Sequence, residues 1–96
     1  MWSKGGMSMK KVIYTVVETN LYITGNGPII DTIVIGSYSD YKKAREVQKE
    51  CWNNELPDFI EIFGKDVETD SEDNKFTCAK DDTKYEIKIQ ESFWED

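Results

Sequence analysis

The chain has 96 residues, 39% of them apolar and 32% charged, with a net charge of −7 and no histidine. This length supports one domain with a single core, and the apolar fraction excludes wholesale disorder. Without histidine there can be no Ser-His-Asp or Cys-His nucleophile system, no imidazole base and no His-ligated zinc.

The two cysteines, Cys51 and Cys78, form no C-x-x-C pair, which excludes a four-cysteine zinc site and a thioredoxin-type motif. The first residues carry no apolar run of the kind a secretory signal needs. Runs such as Ile33-Val34-Ile35 are too short to span a bilayer. These features predict a soluble cytoplasmic protein with two free thiols.

Residues 1–9 read as a flexible leader, either an expression remnant or an upstream start, because Met7 and Met9 could each begin a chain. Residues 10–96 are expected to form the domain. Lys11 to Ile23 reads as a strand, rich in β-branched and aromatic residues from Val12 to Val17. Ile13, Val17, Thr19, Leu21 and Ile23 share one parity along it. Thr24-Gly25-Asn26-Gly27-Pro28 is turn chemistry, and Ile29 to Tyr38 a second strand, so the pair is expected to be an antiparallel hairpin. Asp31 among the isoleucines is expected on a solvated edge.

Ser39 or Asp40 can cap a helix whose body runs from Tyr41 to about Asn54. Tyr41, Ala44, Val47, Cys51 and Trp52 make its apolar stripe, and Asn53-Asn54 with Leu56-Pro57 is expected to end it. Phe59 to Phe63 reads as a short strand or an apolar connector. Asp66 to Asn74 reads as an exposed acidic loop. Phe76 to Ala79 and Tyr85 to Glu91 read as strands around an Asp81-Asp82-Thr83 turn. Tyr85, Ile87 and Ile89 alternate with Glu86, Lys88 and Gln90, as in a half-buried strand. The order predicts an α+β domain, ββα followed by two or three strands, with one helix packed on one face of an antiparallel sheet. Val47, Cys51, Ile33, Ile87 and Ile89 are the expected core.

The charge is uneven. Residues 1–52 hold seven basic and five acidic side chains, whereas residues 53–96 hold five basic and fourteen acidic ones. Such a second half repels nucleic acid and attracts a basic protein surface. Gly25-Asn26-Gly27 leads into a strand and lacks a following G-K-[ST], so it is a hairpin turn and not a phosphate loop. Residues 66–73 place five carboxylates in eight positions, but Ser71 stands where a calcium loop needs glycine and Thr77 where it needs a bidentate glutamate. No metal site and no cofactor are expected. The bland reading of these acids is a solvated segment that keeps the chain soluble. Phe93-Trp94 closes the chain among acids, where one ring can enter the core while the other stays outside.

Tyr14-Thr15-Val16-Val17, then Ile33-Val34-Ile35-Gly36-Ser37-Tyr38-Ser39, then a helix with Ala44 on its buried face, resembles a group of small uncharacterised proteins of phages and low-GC bacteria. The resemblance covers about residues 10–55. It implies an intracellular accessory protein and carries no catalytic residues. By analogy of class, small acidic phage proteins bind and block host enzymes such as defence nucleases.

The expectation is therefore a non-enzymatic, acidic protein-binding module, an inhibitor or regulator that docks on a basic surface of a host enzyme. Asp66, Glu68, Asp70, Glu72 and Asp73 would steer the partner and Trp94 would anchor it. No direct contact with nucleic acid or membrane is expected. The alternatives are an immunity protein that neutralises a toxin nuclease, and a structural, oligomer-forming domain without a charge-dependent partner. The sequence leaves the oligomeric state open.

Overall fold

The computed structural model of the chain describes residues 10–72 and 74–95. In chain order the elements are β1 (Lys10–Thr24), β2 (Gly27–Tyr38), α1 (Tyr41–Phe63), β3 (Glu68–Glu72), β4 (Lys75–Lys80) and β5 (Thr83–Glu95). The strands form one sheet in the order β2-β1-β5-β4-β3, with every neighbouring pair antiparallel. The fold is thus α+β, with β5 returning beside β1 and the first and third strands of the chain forming hairpins at opposite sides. No helix among the described residues is long and apolar enough to cross a membrane.

The β1–β2 hairpin turns through Gly25 and Asn26 alone. Thr24 Oγ1 ties the turn, accepting from the Asn26 N–H at 3.2 Å and donating to the Gly27 carbonyl at 2.7 Å. Gly27 takes φ +110°, which side-chain-bearing residues rarely adopt. Pro28 is accommodated inside β2 because that strand is an edge and can spare a donor. The register shifts between Val16 and Val17, leaving Ile35 as an extra residue in β2.

Val16, Cys78, Tyr85, Ile87 and Ile89 from the strands join Ala44 and Phe59 of α1 in one buried cluster. Trp52 stacks on Phe76 at 5.3 Å, and Arg45 lies 4.8 Å over the same ring. β1 gives Val16 to this cluster, which draws on the parity of Tyr14 and Val16, while Val17 is buried on the opposite face. The set from Ile13 through Ile23 points the other way.

Ile87 and Ile89 are buried as expected, while Val47 and Cys51 are half-buried at the cluster's border. Ile33 is not core. It is 49% exposed, because β2 is an edge strand with a neighbour on one side only. Both cysteines are free thiols.

The helix differs most from expectation. Asp40 caps it, its Oδ1 accepting from the Lys42 N–H at 3.0 Å. It then continues through Pro57 to Phe63 and ends at Gly64, whose N–H donates to the Ile60 carbonyl at 2.7 Å. Phe59 to Phe63 is therefore helix, not strand or connector. Leu56, Phe59 and Phe63 prolong the apolar stripe at three- and four-residue steps, and Phe59 and Phe63 touch with centroids 4.6 Å apart. Pro57 is exposed, so the Asn53 carbonyl that loses its helical donor can turn to water. Burial of Phe59 outweighs the missing bond.

The acidic segment is the second correction. Glu68–Glu72 is not loop but the strand β3, paired with β4 from Glu68↔Ala79 to Glu72↔Lys75. Its backbone is held by the ladder while all its side chains remain exposed.

Candidate functional site

The five acids first considered together do not share one environment. Asp66 is exposed in the turn after α1. Glu68, Asp70 and Glu72 alternate along β3 with Thr69 and Ser71, so they share the sheet face opposite Tyr85 and Ile87. Asp73 and the Trp94 side chain lie outside the described residues. β5 continues to Glu95, with position 94 paired to Lys11 in the β1 ladder, and the neighbouring Phe93 is 59% exposed.

Register across the whole sheet places these acids in three rows. The first runs Glu72–Lys75–Lys88–Val17–Val34. The second runs Asp70–Thr77–Glu86–Thr19–Thr32. The third runs Glu68–Ala79–Lys84–Leu21–Ile30. Each begins with a carboxylate on β3 and ends with a β-branched residue on β2. Lysines fill the middle of the first and third rows. Lys75 Nζ lies 3.6 Å from Glu72 and 4.0 Å from Glu86, so one lysine is shared by an edge acid and an inner acid. The field of the edge is therefore acidic at its rim and compensated one and two strands inward. Sequence reading missed the lysines because their proximity follows from strand order.

Local chemistry also blunts this edge. The Ser71 N–H donates to Asp70 Oδ1 at 2.9 Å, which occupies a backbone donor. Charged side chains along an edge further oppose the addition of another strand.

A tie behind the strand fixes where β3 sits. Asn74, in the β3–β4 turn, accepts at its carbonyl from the Ile89 N–H at 2.8 Å and from Gln48 Nε2 at 2.9 Å. Its Oδ1 accepts from the Tyr41 hydroxyl at 2.8 Å. Gln48 is fully buried, donates also to the Ile87 carbonyl at 3.0 Å and accepts from Arg45 at 2.7 Å. One buried amide thus joins helix, turn and central strand with its hydrogen-bonding groups satisfied.

Carboxyl groups also gather on the helix side. The Tyr85 hydroxyl donates to Glu18 Oε2 at 2.6 Å. Burial, then that bond, pushes the phenol far above its ordinary range, so it remains a protonated donor. Partial burial, and then Glu18 and Asp58, raise the Glu55 carboxyl. Burial, with Glu55 next, lifts the Cys78 thiol to about 11, and burial likewise raises Cys51. These shifts keep both thiols protonated and unreactive at neutral pH. No group of three or more metal-ligating side chains occurs among the described residues. The chain matches no protein family, no curated protein and no solved structure.

Proposed function

We propose that the protein is a non-catalytic binding module whose acidic edge, β3 with Asp66 before it and Asp73 after it, docks on a basic surface of a protein partner. In this reading the helix covers one face of the sheet and leaves the edges and the opposite face for recognition. The observation that carries the proposal is the exposure of Glu68, Asp70 and Glu72 on a strand whose position is already fixed. A cytoplasmic inhibitor or regulator from a phage or mobile element, acting on an enzyme that handles nucleic acid, would use such an edge in place of phosphates. Trp94 would supply the apolar anchor.

The test is retention of a host protein by the immobilised chain at low and at high salt, followed by kinetics on the partner found. Glu68→Gln, Asp70→Asn and Glu72→Gln together should slow association and flatten its salt dependence, because charge complementarity acts mainly on the encounter. Trp94→Ala should speed dissociation and leave the salt dependence alone. Equal retention at both salt concentrations, with an unchanged association rate in the triple variant, would reduce the acids to a solubility feature.

A further inference from the structure

The sheet's other edge carries the opposite surface. Along β2, Ile29, Ile30, Ile33, Val34 and Ile35 are all exposed, Ile30 at 64% and Val34 at 62%. From 29 to 34 they project from both faces of the strand, since Ile30 and Val34 pair with the odd residues Leu21 and Val17 of β1 and Ile29 and Ile33 with the even residues Tyr22 and Glu18. Between Gly27 and Tyr38 the sole charged residue is Asp31, and there is no lysine. Edge strands normally protect themselves with charge, brevity or a bulge in mid-strand. Here Pro28 lies near the start and the bulged Ile35 near the end, so 29–34 is left without protection.

We propose that β2 pairs antiparallel with β2 of a second copy of this chain, about a two-fold axis at Thr32. An axis normal to the sheet must pass through a residue position, because residues paired across it have to share a face. Centring on Asp31 would set two carboxylates opposite each other, which is unfavourable. Centring on Thr32 pairs Ile30 with Val34 and Asp31 with Ile33, and the bulge at Ile35 ends the regular pairing. Ile30 and Val34 of both copies surround the two threonines on one face, and the isoleucines at 29 and 33 gather on the other.

Charge and area favour a copy of this chain over a charged partner. An oppositely charged protein would find only Asp31 on this strand. The acids of β3 lie four strand spacings away, about 19 Å, well beyond a screening length of about 8 Å in physiological salt. The five exposed apolar residues offer roughly 450 Å² per copy, which places the pair at the small, reversible end of specific interfaces. The product is a closed ten-stranded sheet with β3 at both outer edges. Its acids and the occupied Ser71 donor halt further growth, so the assembly stops at two.

Sedimentation equilibrium of the full chain over a wide concentration range tests this directly. The expected result is a reversible monomer–dimer equilibrium that persists at high salt. Ile30→Lys with Val34→Lys should give a monomer whose circular dichroism and melting temperature match those of the parent at a dilution where the parent is monomeric. Thr32→Cys should form an interchain disulfide on mild oxidation, whereas Asp31→Cys, opposite Ile33, should form much less. A chain that stays monomeric at all concentrations overturns the proposal and leaves the strand to an extended segment of another protein. A dimer that survives the double lysine variant, growth beyond two, or equal cross-linking at 31 and 32 also overturns it. None of these readouts depends on the acidic edge, so the two proposals can fail separately.

Discussion

β2 and β3 close the same sheet at its two ends, yet β2 has 12 residues and β3 has 5. The longer strand is apolar and exposed on both faces, and its backbone has no cover beyond a proline and a bulge. The shorter one is acidic, with a capped donor and a lysine against its rim. A sheet with one sticky edge and one repelling edge differs from one with two guarded edges. The pairing proposed for β2 would add a neighbour on one side, and the acids of β3 would oppose one on the other. The difference teaches that the charge asymmetry along the sequence becomes, through strand order, an asymmetry across the sheet.

The comparison requires that both edges be dispensable for folding and that stability reside between them. The largest effect should therefore come from β5. Ile87→Ala removes a fully buried side chain and should cost about 2–5 kcal/mol in denaturant unfolding. A loss below about 1 kcal/mol would show that the edges hold the fold and would break the comparison. Tyr85→Phe should cost on the order of 1–2 kcal/mol, since it removes the donor to Glu18 and leaves that carboxylate with one partner fewer.

Glu55→Gln should act through pH. The folded carboxyl holds its proton to higher pH than the unfolded one, so the folded state binds more protons between the two values. Acidification through that window therefore favours the fold, and above it the charged form is penalised in full. The variant should melt higher than the parent at neutral pH, and the gain should vanish once the pH falls below the ordinary carboxylate range. A gain unchanged by pH would point to helix propensity instead. The smallest effects belong to the edges. Ile30→Thr and Asp70→Asn should each shift the monomer's stability by no more than about 0.5 kcal/mol, as measured by dilute thermal melts. A larger shift at either site would sharpen the comparison by showing which edge the fold needs.

Much of the architecture was legible where its causes are local. The Gly25-Asn26 turn, the alternation of Tyr85, Ile87 and Ile89 and the Asp40 cap each depend on a few neighbouring residues. The end of the helix was not legible, because Asn53, Asn54 and Pro57 argue for a stop and only the tertiary burial of Phe59 overrides them. β3 was hidden for a related reason. Five polar residues have no apolar alternation, and their strand exists through its ladder with β4. Ile33 was misplaced because an apolar strand was assumed to face a core, whereas its position at the edge leaves it in water. At the site, the acids were visible in composition. The rows of lysine behind them, and the Glu18–Tyr85 bond between residues 67 positions apart, needed strand order.

If β3 docks as proposed, the buried Gln48 amide bears on the thermodynamics of that contact. A five-residue strand at the rim of a sheet would ordinarily fray, and a partner would have to arrest that motion on arrival. Gln48, Tyr41 and the Ile89 N–H hold the Asn74 turn at three points, so the carboxylates of β3 stand on a backbone ordered during folding. Little backbone entropy then remains to be lost when a complex forms. Gln48→Leu would leave the acids and their net charge unchanged while loosening their spacing. Its signature in calorimetry would be a less favourable binding entropy at equal ionic strength.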